Sequence, residues 1–480
     1  MKIGLSSGSS VSSKLSLGLT VSGVLLAAGA LVVGHSLSQP VIAGDDGSGG
    51  SAAAGPDVIV GAVPEVSKWG AVGGVAAYSF GSTSCNIGTV ALEWIANTNQ
   101  HPVIPQNMYR LKDGRFEMIG MSWVKHGFCA LQQNLCGACI PFGPGCPNHL
   151  GVGCSDPYSS SLNGDQGGLG PRGLINASTG FFPYPYSAPG GSGLLNRRLQ
   201  VPLTDLQPSL NAGAVYYAEC QYIHPDDAVA GNGDNNASYR KFNVGSLTGG
   251  SYNLSLTGPT AQQKAAIFAW KDNDGAVTIN PVNAINDGRF IVGYKVEDNL
   301  DGTWTYEFAI QNLNSDRSGA SFSLPVPAGV NVTNIGFHDI AHHSGELFNS
   351  IDWPGVVDGG AITWTCTETF AQNPNANALR WSTLYNFRFD ADQPPTAVEA
   401  TLGLFKPSAG NPDSVTVAAQ GPAAPVVVCL GDFSNDGVVD ATDLAYLLGS
   451  WGSAKADLTG DGTTDAADLA LVLGAWGGCP

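Results

Sequence analysis

Oxygen-bearing side chains recur at fixed intervals, twice over, between residues 429 and 480. Counted from Asp432, the first run places Asp432, Ser434, Asp436, Asp440 and Asp443 at positions one, three, five, nine and twelve. Gly437 stands at position six and Val438, which offers its carbonyl, at seven. Counted from Asp457, the second run repeats this with Asp457, Thr459, Asp461, Asp465 and Asp468, with Gly462 at six and Thr463 at seven. An oxygen-only donor set on a twelve-residue spacing, with glycine where the backbone must turn sharply, is what a hard cation takes in an EF-hand loop. Two Ca²⁺ ions are therefore expected, one per loop. Position twelve is Asp rather than Glu, and the shorter carboxylate reaches less far to bind through both oxygens. The expected affinity is modest, with dissociation constants on the order of 10⁻⁴ to 10⁻³ M.

Each run is followed by apolar residues at helical spacing: Leu444, Leu447 and Leu448, then Leu469, Val472 and Leu473. Each ends in Leu-Gly-x-Trp-Gly, at Leu448–Gly452 and Leu473–Gly477. The unit is thus a loop followed by a short helix, in tandem. This pair resembles a type I dockerin, the module that docks bacterial secreted proteins onto cohesin domains. It is most similar to the variant whose repeats close on Leu-Gly-x-Trp-Gly and whose chain ends in Gly-Cys. The resemblance covers residues 429–480 only. It implies ligand roles for the loop residues just named, a cohesin-like or cell-surface partner, and a staple between Cys429 and Cys479, because dockerin ends lie close together. Cohesin-binding dockerins usually carry Ser/Thr pairs at loop positions ten and eleven and basic residues on the following helix. Here the pairs are Ala441-Thr442 and Ala466-Ala467, and the helices carry no Lys or Arg. That departure bears on cohesin docking and leaves the ion ligands untouched.

The elements that position these loops form a small part of a 480-residue chain. Hydrophobic residues make up 43 % of it, enough for one large or two medium domains. Charged residues are only 12 %, and 64 glycines and 29 prolines punctuate the chain, which reads as a turn-rich β protein. A formal charge of -18 argues against nucleic acid or anionic lipid as a partner. Ten cysteines point to an oxidising compartment and a secreted or cell-surface protein.

Residues 1–43 read as a signal peptide: Lys2 and Lys14, an apolar run from Leu15 to Val33, then Val41-Ile42-Ala43 at the cleavage site. No membrane contact is expected once it is removed. Residues 44–56 read as a flexible linker, 57–409 as the β-rich region, 410–428 as a second linker and 429–480 as the calcium module. Strands are expected at Asp57–Val63, Val72–Phe80, Phe116–Met121, Val215–Tyr222, Ala265–Trp270, Arg289–Val296, Trp304–Leu313, Asn331–Ile340, Ile362–Phe370, Leu379–Phe389 and Val398–Phe405. In Trp304–Leu313, Trp304, Tyr306, Phe308 and Ile310 share one face and Thr305, Glu307 and Gln311 the other; Arg380 and Arg388 are expected to point outward. The expected fold class is mainly β: an antiparallel β-sandwich region with a disulfide-rich loop insert, plus a small α-helical dockerin-like module with two EF-hand-type calcium loops. Cys129, Cys136, Cys139, Cys146 and Cys154 crowd one Gly/Pro-rich stretch, where Cys136-Gly-Ala-Cys139 allows a zinc or redox reading but disulfides fit a secreted context better. With Cys85, Cys220 and Cys366 they make an even set of eight, for which about 105 connectivities exist.

Other residues could carry chemistry in the large region. His338, His342 and His343 are the densest histidine group; a helix starting there would set His338 and His342 one turn apart, with Glu346 as third ligand or base. His224, in His224-Pro-Asp226-Asp227, could complete a metal site, although the segment reads first as a turn. Glu117, Glu219, Glu307 and Glu368 lie on strands, where a glycosidase would need two converging carboxylates, but solvent-facing positions are commoner. The stretch from His101 through Tyr109, Arg110, Glu117 and Trp123 to His126 mixes aromatic and ionisable residues. Three readings follow: a non-catalytic secreted protein docked by its calcium module, in a polysaccharide-related setting; a polysaccharide-active hydrolase carried by that module; and a metal enzyme built on His338, His342 and His343.

Overall fold

Alternating apolar residues with turn signals between them build antiparallel sheets throughout a computed structural model that describes residues 54–341, 344–425 and 429–479. The expected signal peptide, most of the first linker, His342 and His343 lie outside the described residues. Strands account for 41 % of the chain and helices for 10 %, which makes the class mainly β. No helix among the described residues is long and apolar enough to cross a membrane.

The sheets are layered, with a core between each pair. A five-stranded sheet runs Ser251–Ala261, Ala237–Thr248, Val215–Gln221, Gln106–Lys112, Arg115–Met121. A second runs Thr278–Asn283, Arg289–Asp298, Trp304–Asn312, Thr383–Ala391, Val332–His338. A third runs Gly355–Asp358, Ala361–Thr365, Gly319–Pro325, Pro395–Leu404, Ser414–Pro422. Smaller sheets built on Val58–Ala62 and Val75–Phe80 cover the outer face of the first. Successive side chains on a strand point to opposite faces, so each central strand feeds two cores. Tyr216, Ala218 and Cys220 enter the core beneath the small sheets, whereas Tyr217 enters the next core. Tyr306, Phe308 and Ile310 pack between the second and third sheets with Phe322, Trp364 and Phe387. Their neighbour Ala309 faces the first sheet, alongside Ile291 and Leu384.

This layering corrects the expected exposure of the second face. Glu307 and Gln311 are buried, covered by the first sheet. Arg380 is buried as well, its guanidinium 4.4 Å from the Phe348 ring and 4.8 Å from the Phe405 ring. Two segments also differ from expectation. Ala265–Trp270 is not a strand: Phe268–Asn273 is a helix, and the run is apolar because Ala266, Ile267, Ala269 and Trp270 plug the gap between the first two sheets. A short buried run has no periodicity that separates strand from helix. The linker read over 410–428 instead supplies the edge strand Ser414–Pro422, paired with Pro395–Leu404. At the other end, Gly55 already hydrogen-bonds Thr89, so the ordered region starts within the expected first linker.

The cysteine-dense loops are braced by Cys85–Cys136, Cys129–Cys146 and Cys139–Cys154. Cys136 and Cys139 thus belong to separate disulfides, which removes the zinc and redox readings of that pair. Cys220 and Cys366, counted above among eight paired cysteines, are free and buried. Cys220 serves as a small apolar residue in a core, and burial pushes both thiols above their usual range. A thiol reagent should therefore find almost nothing in the native chain and two groups per chain in denaturant without reductant. Prompt native labelling at Cys220 would contradict the packing.

Candidate metal centre

The two C-terminal runs fold alike in their caps and turns. Helices Ala441–Gly449 and Ala466–Gly474 each start at an aspartate cap, Asp440 and Asp465, whose side chains accept from Thr442 N and Ala467 N, both at 2.7 Å. The position-twelve residues close the capping boxes: Asp443 accepts from Asp440 N at 3.0 Å and Asp468 from Asp465 N at 2.8 Å. Their other oxygens reach back into the loops, to Ser434 N and to Thr459 N. The position-one residues gather the turn: Asp432 accepts from Gly437 N at 2.9 Å, and Asp457 from Gly462 N at 2.7 Å. Gly437 and Gly462 take φ of +86° and +95°, a region that side-chain-bearing residues rarely adopt. Asp436 and Asp461 each accept the N–H two residues on, from Val438 and Thr463.

Each loop is strapped to the tail that follows the other helix's repeat. Val438–Val439 pairs with Gly477–Gly478, and Gly452 N donates to Thr464 O at 2.9 Å. Val439, Leu447, Ala456 and Val472 form the small core, and a Cys429–Cys479 disulfide joins the ends.

The donor set is entirely hard oxygen, which suits Ca²⁺ rather than a soft transition metal. Backbone N–H donors hold the Asp443, Asp457 and Asp468 carboxyls below the usual range, so these groups are anionic and available to a cation. Among the described residues, the one group of three or more His, Cys, Asp or Glu ligand atoms within 4.8 Å of one another belongs to Cys429, Asp432 and Cys479. Its two sulfurs are joined to each other, so it offers a single donor. The loop carboxylates stand further apart, each on its own N–H donors, and would swing inward onto an ion.

The histidine expectations fare differently. His338 is the last residue of the strand Val332–His338, paired with Asn386, so no helical turn starts there. His342 and His343 lie outside the described residues. Glu346 turns instead to the backbone N–H of Arg172. His224 is buried with both nitrogens engaged, Nε2 with Glu93 O at 2.6 Å and Nδ1 accepting from Asp226 N at 3.0 Å. It caps the helix Pro225–Ala230 and shares no partner with His338.

The stretch from His101 to His126 separates into three neighbourhoods. His101 Nε2 meets His126 Nδ1 at 2.9 Å under Phe182, with Tyr186 stacked on His126 at 4.2 Å; burial lowers these histidines to about 4 and about 3. Tyr109 joins a buried network around Glu219. Arg110 bridges Glu117 at 2.7 Å and Asp205 at 3.0 Å. Close to it, Glu307 holds Arg115 at 2.9 Å, and burial pushes its carboxyl up to about 8 despite that arginine. Sequence spacing alone carried no signal for Asp205 or for the His101–His126 contact, which depend on strands distant in the chain.

No family model matches this chain, and no curated protein does. Among solved structures, a serine-rich repeat adhesion glycoprotein from Streptococcus agalactiae aligns over 72 % of this chain and 89 % of its own, at 10 % identity and a TM-score of 0.19. An exo-chitosanase from Amycolatopsis orientalis aligns over 71 % of this chain and 25 % of its own, at 10 % identity and a TM-score of 0.15. Scores this low carry no argument.

Proposed function

We propose that residues 429–480 form a dockerin-like module that holds two Ca²⁺ ions and docks the β-rich region to a cell-surface or cohesin-like partner outside the cell. The observation that carries this reading is the repetition of one loop, cap and strap geometry in two places. Bound Ca²⁺ would neutralise the loop carboxylates. The first ion would be held by Asp432, Ser434, Asp436, Asp440, Asp443 and the Val438 carbonyl; the second by Asp457, Thr459, Asp461, Asp465, Asp468 and the Thr463 carbonyl. The disulfides support an oxidising, extracellular setting. The large β-rich region, where no three His, Cys, Asp or Glu ligand atoms gather within 4.8 Å among the described residues, is the cargo in this reading.

The test is fractionation of producing cells with and without chelator. The chain should stay with the envelope in calcium and leave it in chelator, and a chain carrying Asp432→Ala and Asp457→Ala should be released throughout. Equal retention of both chains would remove the docking role.

A second reading, a polysaccharide hydrolase, is favoured by one observation. Glu307, raised by burial, lies near enough to Glu117 to feel its charge, the sort of divergence that separates a general acid from its partner. In the structure each of the two is tied to an arginine, which suits a structural ion-pair network equally well.

A further inference from the structure

Burying a carboxylate without a cation is costly, so such groups are normally paired or bound to metal. Asp57 and Asp227 are 1 % and 0 % exposed. Among the described residues, neither has a Lys, Arg or His nitrogen within 4.0 Å. Their partners are neutral donors. Asp227 accepts from Val58 N at 2.8 Å and from Asn236 Nδ2 at 2.7 Å; Asp57 accepts from Asn235 Nδ2 at 3.2 Å.

The two asparagines supply an independent observation. Asn236 is 1 % exposed, and its Oδ1 is buried with no donor; Asn235 Oδ1 is likewise buried with no donor. Buried acceptors without donors are uncommon and call for a water or an ion. Asn236 and Asp227 line a cavity of about 130 Å³ under the loop from Gly231 to Asn236. The other acids on its wall are already spent. Asp234 pairs with Arg289 at 2.8 Å, and Asp287 accepts the backbone N–H groups of Asp316 and Arg317.

We propose that this cavity is a third cation site, in the β-rich region, with Asp227 and Asn236 as direct oxygen ligands and Asp57 and Asn235 behind them. The ligands are all oxygens, from carboxyl and amide groups, and the cavity leaves room for waters to complete six to eight contacts, so Ca²⁺ fits better than Mg²⁺, which demands a tight octahedron. The site ties the first strand of the region, at Val58, to the loop after Pro225–Ala230. Its role is to lock that junction, and it stands whether or not the C-terminal loops bind calcium.

The test uses the full chain with Asp432→Ala, Asp443→Ala, Asp457→Ala and Asp468→Ala, which disables both C-terminal loops. Equilibrium dialysis should still find one Ca²⁺ per chain. Tb³⁺ in its place should luminesce on tryptophan excitation, because Trp94 stacks on His224, which lines the cavity. Asn236→Ala should weaken binding by about tenfold or more, and Asn236→Asp, which adds a charged oxygen, should tighten it. Opposite effects from one position cannot come from misfolding. The proposal fails if the loop-disabled chain binds no Ca²⁺, or if both Asn236 variants bind like their parent.

Discussion

Chelating calcium should melt the C-terminal helices while the β-rich region stays folded. Only four apolar side chains, Val439, Leu447, Ala456 and Val472, are fully buried there, with Phe433, Leu458, Leu469 and Ala475 partly buried against them. At about 1.5–3 kcal/mol for each fully buried large aliphatic side chain, and less for alanine, that core cannot offset the ordering of some fifty residues. The disulfide Cys429–Cys479 helps by restricting the unfolded chain, by about 2–4 kcal/mol. Bound calcium would add to the folded form about 2.7 kcal/mol per site when the ion stands at a hundred times its dissociation constant. The acidic loops also repel themselves without it. Trp451 and Trp476, each 49 % exposed, provide a fluorescence signal in the right place. A calorimetric scan should show two transitions, and chelator should abolish or sharply lower the smaller one. Asp432→Ala with Asp457→Ala should mimic the chelator, because each removes the acceptor of the loop's turning N–H groups as well as an ion ligand. A small transition unmoved by chelator would contradict the account.

The second large effect is expected at Glu219, far from any proposed ion. This carboxylate is fully buried between the first two sheets. It accepts from Tyr109 Oη at 2.8 Å, Asn107 Nδ2 at 2.9 Å, Gln311 Nε2 at 2.9 Å and Ala266 N at 2.6 Å. Asn107 also accepts from Arg172 at 2.9 Å, so a buried cation and a buried anion share one amide. Arg172 spends its other donors on the carbonyls of Ser122, Gln106 and Ser382. Glu219→Ala strands several buried donors and removes one of the two carboxyl groups whose charge reaches Arg172, the other being Glu346. The expected loss is about 3–5 kcal/mol, that of breaking a buried charge network. Glu219→Gln keeps the shape and two acceptor lone pairs, and should lose less. Denaturant unfolding followed by a β-region signal gives both numbers. An alanine variant as stable as its parent would show that the network contributes nothing net.

The tandem loop-and-helix form of the C-terminal residues was legible because the spacing of oxygen-bearing residues and the glycine position are local, and because the pattern occurs twice. The β class was legible from alternation around turns. What alternation could not reveal is what covers the polar face of a strand. Glu307 and Gln311 alternate with Phe308 and Ile310 just as solvent-facing residues would, yet they meet another sheet. Sequence cannot distinguish water from a partner on another sheet such as Arg115. The edge strand Ser414–Pro422 read as linker because its Ala, Val and Gln residues carry little pattern, and its proline sits at an end where no ladder bond is needed. An even count of cysteines suggested full pairing, but Cys220 and Cys366 are free and lie in different cores. The contact of His101 with His126 and the isolation of Asp57 and Asp227 depend on the tertiary arrangement alone.

The most direct measurement is the number of Ca²⁺ ions bound, at calcium on the order of 10 mM so that sites of the expected affinity fill, by the full chain and by the same chain with Asp432→Ala and Asp457→Ala, counted together by equilibrium dialysis. The account predicts that the two chains differ by two ions, whatever the β-rich region holds. Equal counts in the two chains would contradict the assignment of the C-terminal loops as calcium sites.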